Sequence, residues 1–400
     1  MTTTPSQAVD TQERRIGGRL PVPRDVSSLA VLGGLAVIWV IFHALNRNFL
    51  SPRNLSNLIL QIAVLGTIAV GMVIVLILGE IDLSVGAIAG VSAAVLAVML
   101  TNPGVPTWLA LLTVLAIGAG IGVIQSIGIT QLGIPSFIIT LAGLLVWQGV
   151  QLIVIGSNGQ VPIHDPFVRG IASTYVPAPV GWALAIIGCL VVAGFRLSAR
   201  NRRVKAGLPA GSLSAEVIGL VIIAVLVLGV TWMLNLYLGA PWVLIVLLAL
   251  VIIMSVVMSQ TPFGRHVYAI GGNREAARRA GIRVKGTTIC VFMIISVIAA
   301  LAGVIEASRE FSASSALGGG TLQLNAIAAA VIGGTSLFGG RGKPYHAVLG
   351  ALVVGSVQNG LNLLGEPAAI QNIATGLILV IAVAIDSISR KRLAARGVAI

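Results

Sequence analysis

The sequence predicts an all-α fold: a polytopic membrane bundle of about twelve transmembrane helices carrying a parallel internal repeat. Three observations lead there. Hydrophobic residues make up 57% of the chain and charged residues 9%, where a soluble domain carries about 25% charged. Twelve apolar runs approach the ~20 residues, with ~17 tolerated, that cross a bilayer. The basic residues also alternate from loop to loop, as they do in a spanning chain.

The first 28 residues are polar, with Pro5, Pro21 and Pro23, and read as a disordered cytoplasmic tail with no cleavable signal peptide. Spans are then predicted near 29–45, 58–78, 85–100, 108–130, 136–155, 179–196, 215–236, 241–259, 288–306, 323–338, 345–363 and 369–388. The runs at 85–100 and 323–338 are slightly short, which suits a tilted, broken or shifted helix. The transmembrane region is therefore 29–388, and 389–400 form a second cytoplasmic tail.

An even count puts both termini on one side. With that side inside, 21 of the 25 Lys and Arg residues fall on inside segments. Only Arg47, Arg53, Arg169 and Arg309 fall outside, the positive-inside pattern of a cell-membrane protein. One span more or fewer would export a heavily basic loop. The same pattern explains the net charge of +13 without nucleic acid, because the cations sit in short loops and tails that lack interleaved aromatics. Cys189 and Cys290 lie inside apolar runs, which argues against a disulfide framework.

The repeat rests on two segments. Gly79–Gly86 (GEIDLSVG) follows the second span and Gly333–Gly340 (GGTSLFGG) closes the tenth. Gly, Leu and Gly match at the first, fifth and eighth positions, and a helix rich in small residues follows each. Both lead from an inward-running span into an outward-running one, as parallel repeats would. Glycine is common throughout, as in Gly118, Gly120 and Gly122, and small residues let helix backbones approach closely in lipid.

The longest polar insertion in the second half is 261–287, TPFGRHVYAIGGNREAARRAGIRVKGT. It contains a short helix legible from its ends. Asn273 is a good N-cap, Glu275 lies in the first turn, Arg278 and Arg279 in the last, and Gly281 stops it. Ala276, Ala277 and Ala280 are expected on one smooth face. The loop reads as a docking helix for a soluble partner or as a basic loop lying on anionic membrane lipid.

Catalytic chemistry is absent from the pattern. His43, His164, His266 and His346 have no metal-ligand spacing. FGGRGKP at 338–344 fails as a phosphate loop, since Leu337 stands at the first Gly position and Pro344 follows Lys343. Charged side chains are nearly excluded from the spans; Glu306 and Asp386 are the borderline cases, each near a span end, and no carboxylate is clearly buried near the bilayer centre, which argues against self-powered ion-coupled transport. Amides in or beside spans, including Gln61, Gln125, Gln148, Gln151, Gln323, Asn325, Gln358, Asn359 and Asn362, suit a hydroxylated solute or bonds between helices. Asp82, beside Glu80, either caps the helix expected to start at Ser84 or takes part in transport.

Four motifs resemble a family. GEIDLSVGAIAG (79–90), IPSFIITLAG (134–143), TPFGRHVYAIGGNREAARRAGI (261–282) and AAVIGGTSLFGGRG (329–342) are similar, in order, to the ribose/xylose-type permease subunits of ATP-binding-cassette importers. The two further spans within 179–236 make the chain look like the D-xylose branch. The resemblance implies a homodimer of permeases, a cytoplasmic ATPase that binds ATP and Mg, and an external sugar-binding protein, with no cofactor in this chain. It also implies that Gly272, Asn273, Glu275, Ala276, Ala277, Arg278 and Gly281 couple the chain to the ATPase. Asp82, Gln148, Gln323, Asn325, Gln358 and Asn359 are the pathway candidates for D-xylose or a related pentose. The rival reading is an ion-coupled secondary sugar transporter.

Overall fold

Seventeen residues of the predicted second span, from Ile62 to Leu78, are buried in one unbroken run, so the helix they form is surrounded by protein on every side. The computed structural model describes residues 26–208 and 212–395; residues 1–25 and 396–400 of the two expected tails lie outside the described residues. The chain begins with α1 (Val26–Leu45), α2 (Pro52–Leu78), α3 (Val85–Leu100), α4 (Thr107–Thr130) and α5 (Ser136–Ile155). β1 (Gln160–Pro162), α6 (Pro166–Ser173) and β2 (Tyr175–Val176) lead to α7 (Ala178–Lys205) and α8 (Leu213–Asn235). After β3 (Ala240–Pro241) come α9 (Trp242–Gln260), α10 (Pro262–Gly272), α11 (Arg274–Arg279) and α12 (Val284–Glu310). β4 (Ser312–Ser314) precedes α13 (Leu322–Ile332), α14 (His346–Leu363) and α15 (Ala368–Ala395).

Each predicted span window holds one helix, and α2, α4, α5, α7, α8, α9 and α12 are long and apolar enough to cross a membrane. The window at 323–338 is corrected. α13 stops at Ile332 after 11 residues, because Gly334 takes φ 99 and the Gly334 and Thr335 N–H groups turn back onto Val331 O and Ala330 O. The basic stretch 196–205, which follows the predicted 179–196 span, continues α7 as its last turns. The 261–287 insertion holds two short helices, not one.

Glycine sets the helix packing. A Cβ on Gly118 of α4 would lie 2.8 Å from Ser296 O of α12, and one on Gly122 would strike Phe292 O. The i, i+4 pair thus lets two backbones touch, while Gly120 between them faces open space. On α14, Gly350 meets Ala329 of α13, Gly355 meets Ile62 of α2 and Gly360 meets the Phe42 ring of α1. Polar pairs fix rotation: Trp39 Nε1 donates to Ser356 Oγ at 2.9 Å, and Asn54 Nδ2 donates to Asn359 Oδ1 at 2.8 Å. Such bonds average about 0.6 kcal/mol in membranes.

Hydrogen bonds sort the connections between helices to two ends of the bundle. At one end β1 pairs antiparallel with β4 and β2 with β3, Thr107 bonds Asp165, and Asn46 bonds Leu363 O. At the other end, 79–84, 131–135, 261–283 and 333–345 are joined to one another or to the neighbouring helix ends. α7 and α8 stand apart, packed chiefly on each other, with most side chains exposed.

Candidate functional site

The four family-like motifs, spread over more than two hundred residues of sequence, meet at this second end. The junction starts from a helix stop. α2 ends at Gly79, φ 86, whose N–H bonds Leu76 O at 2.9 Å while the Glu80 N–H bonds Val75 O at 3.1 Å. That leaves the intervening Ile77 carbonyl without a partner in its own helix. Gly340 N–H, from the 333–345 turn, donates to it at 2.8 Å. Gly271, the next-to-last residue of α10, covers the same carbonyl so closely that any Cβ there would strike it. A Cβ on Gly339, φ 87, would lie 2.7 Å from Gly271 O and 3.1 Å from Gly79 Cα. Three chain segments touch through bare backbone, which only glycine allows.

Side chains lock the junction. Tyr268 Oη donates to Gly342 O at 2.6 Å, and burial pushes its phenol pKa up, so it stays a neutral donor. Arg274 Nη1 lies 2.6 Å from Glu80 Oε1, binding the first residue of α11 to the 79–84 turn. From the IPSFIIT motif, Ser136 Oγ accepts the Ile81 N–H at 3.3 Å, and Thr140 Oγ1 lies 3.4 Å from Ile81 O.

Asp82 is fully buried within this turn. Its Oδ1 accepts the Ser84 N–H at 2.8 Å and the Ser84 hydroxyl at 2.6 Å, and Ser84 in turn meets Gln125 of α4. The helix starts at Val85 with Ser84 as its N-cap, as the 85–100 window expects, and the carboxylate sits at its N-terminus. Oδ2 has no protein partner among the described residues. Desolvation raises the Asp82 pKa from 3.8 to about 6 against the lowering effect of Ser84.

α11 stands on this junction. Asn273 Oδ1 accepts the Ala276 N–H at 2.9 Å, an N-cap. Gly281, φ 82, ends the turn, with Gly281 N–H on Arg278 O and Ile282 N–H on Ala277 O. Glu275 accepts from Arg278 and Arg279, each at 3.0 Å, and both hold its carboxyl below the usual range. One expectation is corrected: Ala277 is buried against the body, while Ala276 and Ala280 are exposed, so the three alanines do not form one free face. Gly272 closes α10 and is exposed.

A polar cavity of about 340 Å³ opens at the opposite end, between α2, α12, α13, α14 and α15. Of the pathway candidates, Asn325 and Gln358 line it, joined by Gln61, Glu306, Arg309 and Gln371 among others. Asn359 points elsewhere, into the Asn54 pair. Gln148 is half-buried on α5, outside the lining. Gln323 lies against Gly86 and donates to Gly320 O at 3.3 Å. Asp82 belongs to the junction, not to the cavity. No group of three His, Cys, Asp or Glu residues able to hold a metal lies among the described residues.

The sequence reading passed over Gly271, Ser136, Thr140 and Tyr268. Their contacts run largely to backbone atoms of distant segments, which residue type does not reveal. Gln371 was missed because it follows a loop, though a Gln-Asn pair (371–372) entering an apolar run was a usable signal.

A family model described as branched-chain amino acid transport system / permease component matches residues 54–383. The chain is 40% identical over 344 residues to the xylose transport system permease protein of Escherichia coli, covering 86% of this chain and 87% of that one. It is 37% identical to the xylose transport system permease protein of Haemophilus influenzae, covering 91% and 96%. It is also 34% identical to the ribose import permease protein of Bacillus subtilis, covering 88% and 90%. These relatives are permease components, not enzymes. No solved structure matches.

Proposed function

We propose that this chain, which belongs to the branched-chain amino acid transport system / permease component family, is the membrane-spanning subunit of an ATP-driven importer for D-xylose or a related pentose. It works as a homodimer in the cell membrane, surrounded by lipid. A cytoplasmic ATPase supplies ATP and Mg chemistry, and an external sugar-binding protein delivers the solute. The twelve-span arrangement has both termini cytoplasmic, and the 79–86 and 333–340 turns are the matching elbows of a parallel repeat. The xylose assignment draws on the two xylose permease relatives.

The observation that carries the mechanism is the glycine junction beneath α11. A push on α11 reaches the end of α2 and the 333–345 turn through backbone contact at Gly271 and through the Arg274–Glu80 ion pair. Closure of the ATPase on ATP therefore acts on two turns at once, and alternating access follows from their joint displacement. Arg278 and Glu275, exposed on α11, are the groups the ATPase grips.

Reconstitution of the permease with its ATPase and binding protein tests this. Wild-type vesicles should take up D-xylose only with ATP. Arg278→Glu or Glu275→Arg should keep ATP hydrolysis but lose uptake at least about tenfold, the size of an interface hot spot. Uptake at the wild-type rate by both variants would remove the docking role. Glu306, a carboxylate on the cavity wall, favours the ion-coupled carrier as a second reading. Uptake by the permease alone under a proton or sodium gradient would establish that reading instead.

A further inference from the structure

We propose that the cavity between α2, α12, α13, α14 and α15 is a binding site of the permease itself, which holds a neutral sugar by accepting hydrogen bonds from its hydroxyls on Glu306 and Asn325. This rests on the sugar-permease reading and adds to it a solute site within this chain, distinct from any on an external binding protein.

The first support is two stranded acceptors on one wall. Asn325 is 6% exposed; its Nδ2 donates to Thr321 Oγ1 at 3.3 Å, and its Oδ1 is buried with no protein partner among the described residues. Glu306 Oε2 is likewise buried without a partner. Buried acceptors are ordinarily paired, so two in one cavity mark a place built for donors from a ligand. Hydroxyl groups are donors of the right size, and Gln61 and Gln358 in the same lining can both donate to and accept from a ring of hydroxyls.

The mix of donors and acceptors narrows the ligand class. Arg309 also lines the cavity; its Nη2 bonds Glu310 at 2.7 Å, while its Nε is buried without a partner among the described residues, so the wall offers a donor beside the Glu306 and Asn325 acceptors. A hydroxyl both donates and accepts, so a neutral polyol satisfies the Glu306 and Asn325 acceptors and the Arg309 donor together, which a solute carboxylate, able only to accept, does not. The volume, about 340 Å³, lies at the small end of the ~300–1,000 Å³ typical of ligand pockets, as a monosaccharide requires.

The test uses the full-length protein in lipid nanodiscs, with D-xylose followed by saturation-transfer NMR. Wild type should saturate the sugar signals. Glu306→Gln, which replaces one acceptor oxygen by a donor, and Asn325→Leu, which removes the acceptor, should each weaken the effect about tenfold. D-xylonate, the matching anion, should neither bind nor displace D-xylose. Melting temperature and elution profile show whether each variant is folded; if Asn325→Leu fails, the isosteric Glu306→Gln and the xylonate comparison on wild type still decide. Equal saturation in wild type and Glu306→Gln, displacement by D-xylonate, or release of the sugar by sodium ions would each overturn the site. ATP-driven uptake by the complete wild-type complex separates the two ideas. Uptake without binding here removes this site alone, and no uptake at all removes the importer reading.

Discussion

Glycine is as much a part of the α7–α8 hairpin as of the junction under α2, and the two regions use it oppositely. At the junction, Gly271, Gly339 and Gly340 exist because three backbones pass where no Cβ fits. On the hairpin, Gly188, Gly194 and Gly229 have nothing within 4 Å. The helices differ in the same way. In α2 and α12, 83% and 67% of the most apolar stretch is buried in protein, against 6% in α7 and 11% in α8. All four are apolar enough to cross a membrane, so hydropathy does not separate a helix enclosed by protein from one that faces outward. Lipid and protein interior are equally apolar partners, and the difference lies in what touches the glycine.

The sharpest way to break this contrast is Gly271→Ala. The added methyl meets the Ile77 carbonyl and the Gly340 amide, and overpacking of this kind costs about 1–3 kcal/mol. Folded yield and melting temperature should fall, and transport with them. A wild-type melt and uptake rate would show that the junction is loose.

Asp82→Asn comes next and separates capping from transport. Asn keeps the acceptor for the Ser84 N–H but removes the buried charge. The native carboxyl keeps its proton up to about 6, against an ordinary value of 3.8. The native state therefore binds more protons than the unfolded state across that window, and stability falls as pH rises through it and levels off above. The variant should melt at the wild-type temperature or above at neutral pH and lose that slope, while uptake drops severalfold. Undiminished uptake by a stable Asp82→Asn protein would reduce Asp82 to a cap. The smallest effect is expected for Gly188→Ala with Gly194→Ala, within about 0.5 kcal/mol in the melt, as for substitutions clear of packed features. A large loss there would mean that the hairpin is enclosed in the working assembly.

Much of this was legible from residue type. The ends of α11 followed from Asn273 and Gly281, because caps act locally and leave a local signature. The helix positions followed from apolar run length. The alanine face of α11 did not, because which side of a short helix is covered depends on where the body lies, and Ala277 is drawn under by its neighbours. The early stop of α13 was visible as Gly333-Gly334, yet those residues also fit the end of a full span. Only the meeting of Gly333 with His346 O shows that the chain turns there to admit another backbone. The choice among amides was beyond reach as well: Asn325 and Asn359 look alike in sequence, but one lines a cavity and the other closes a pair with Asn54.

The brevity of α13 has a further consequence. Eleven residues span about 16 Å at 1.5 Å per residue, roughly half the ~30 Å hydrocarbon thickness. Its first turn carries Asn325 at the cavity, and its last residue hands over to the turn that holds Gly339 and Gly340. On the proposed pathway, the packed stretch between the two is therefore about one short helix deep, so a solute would need only a modest local parting of walls, not a passage opened through the whole slab.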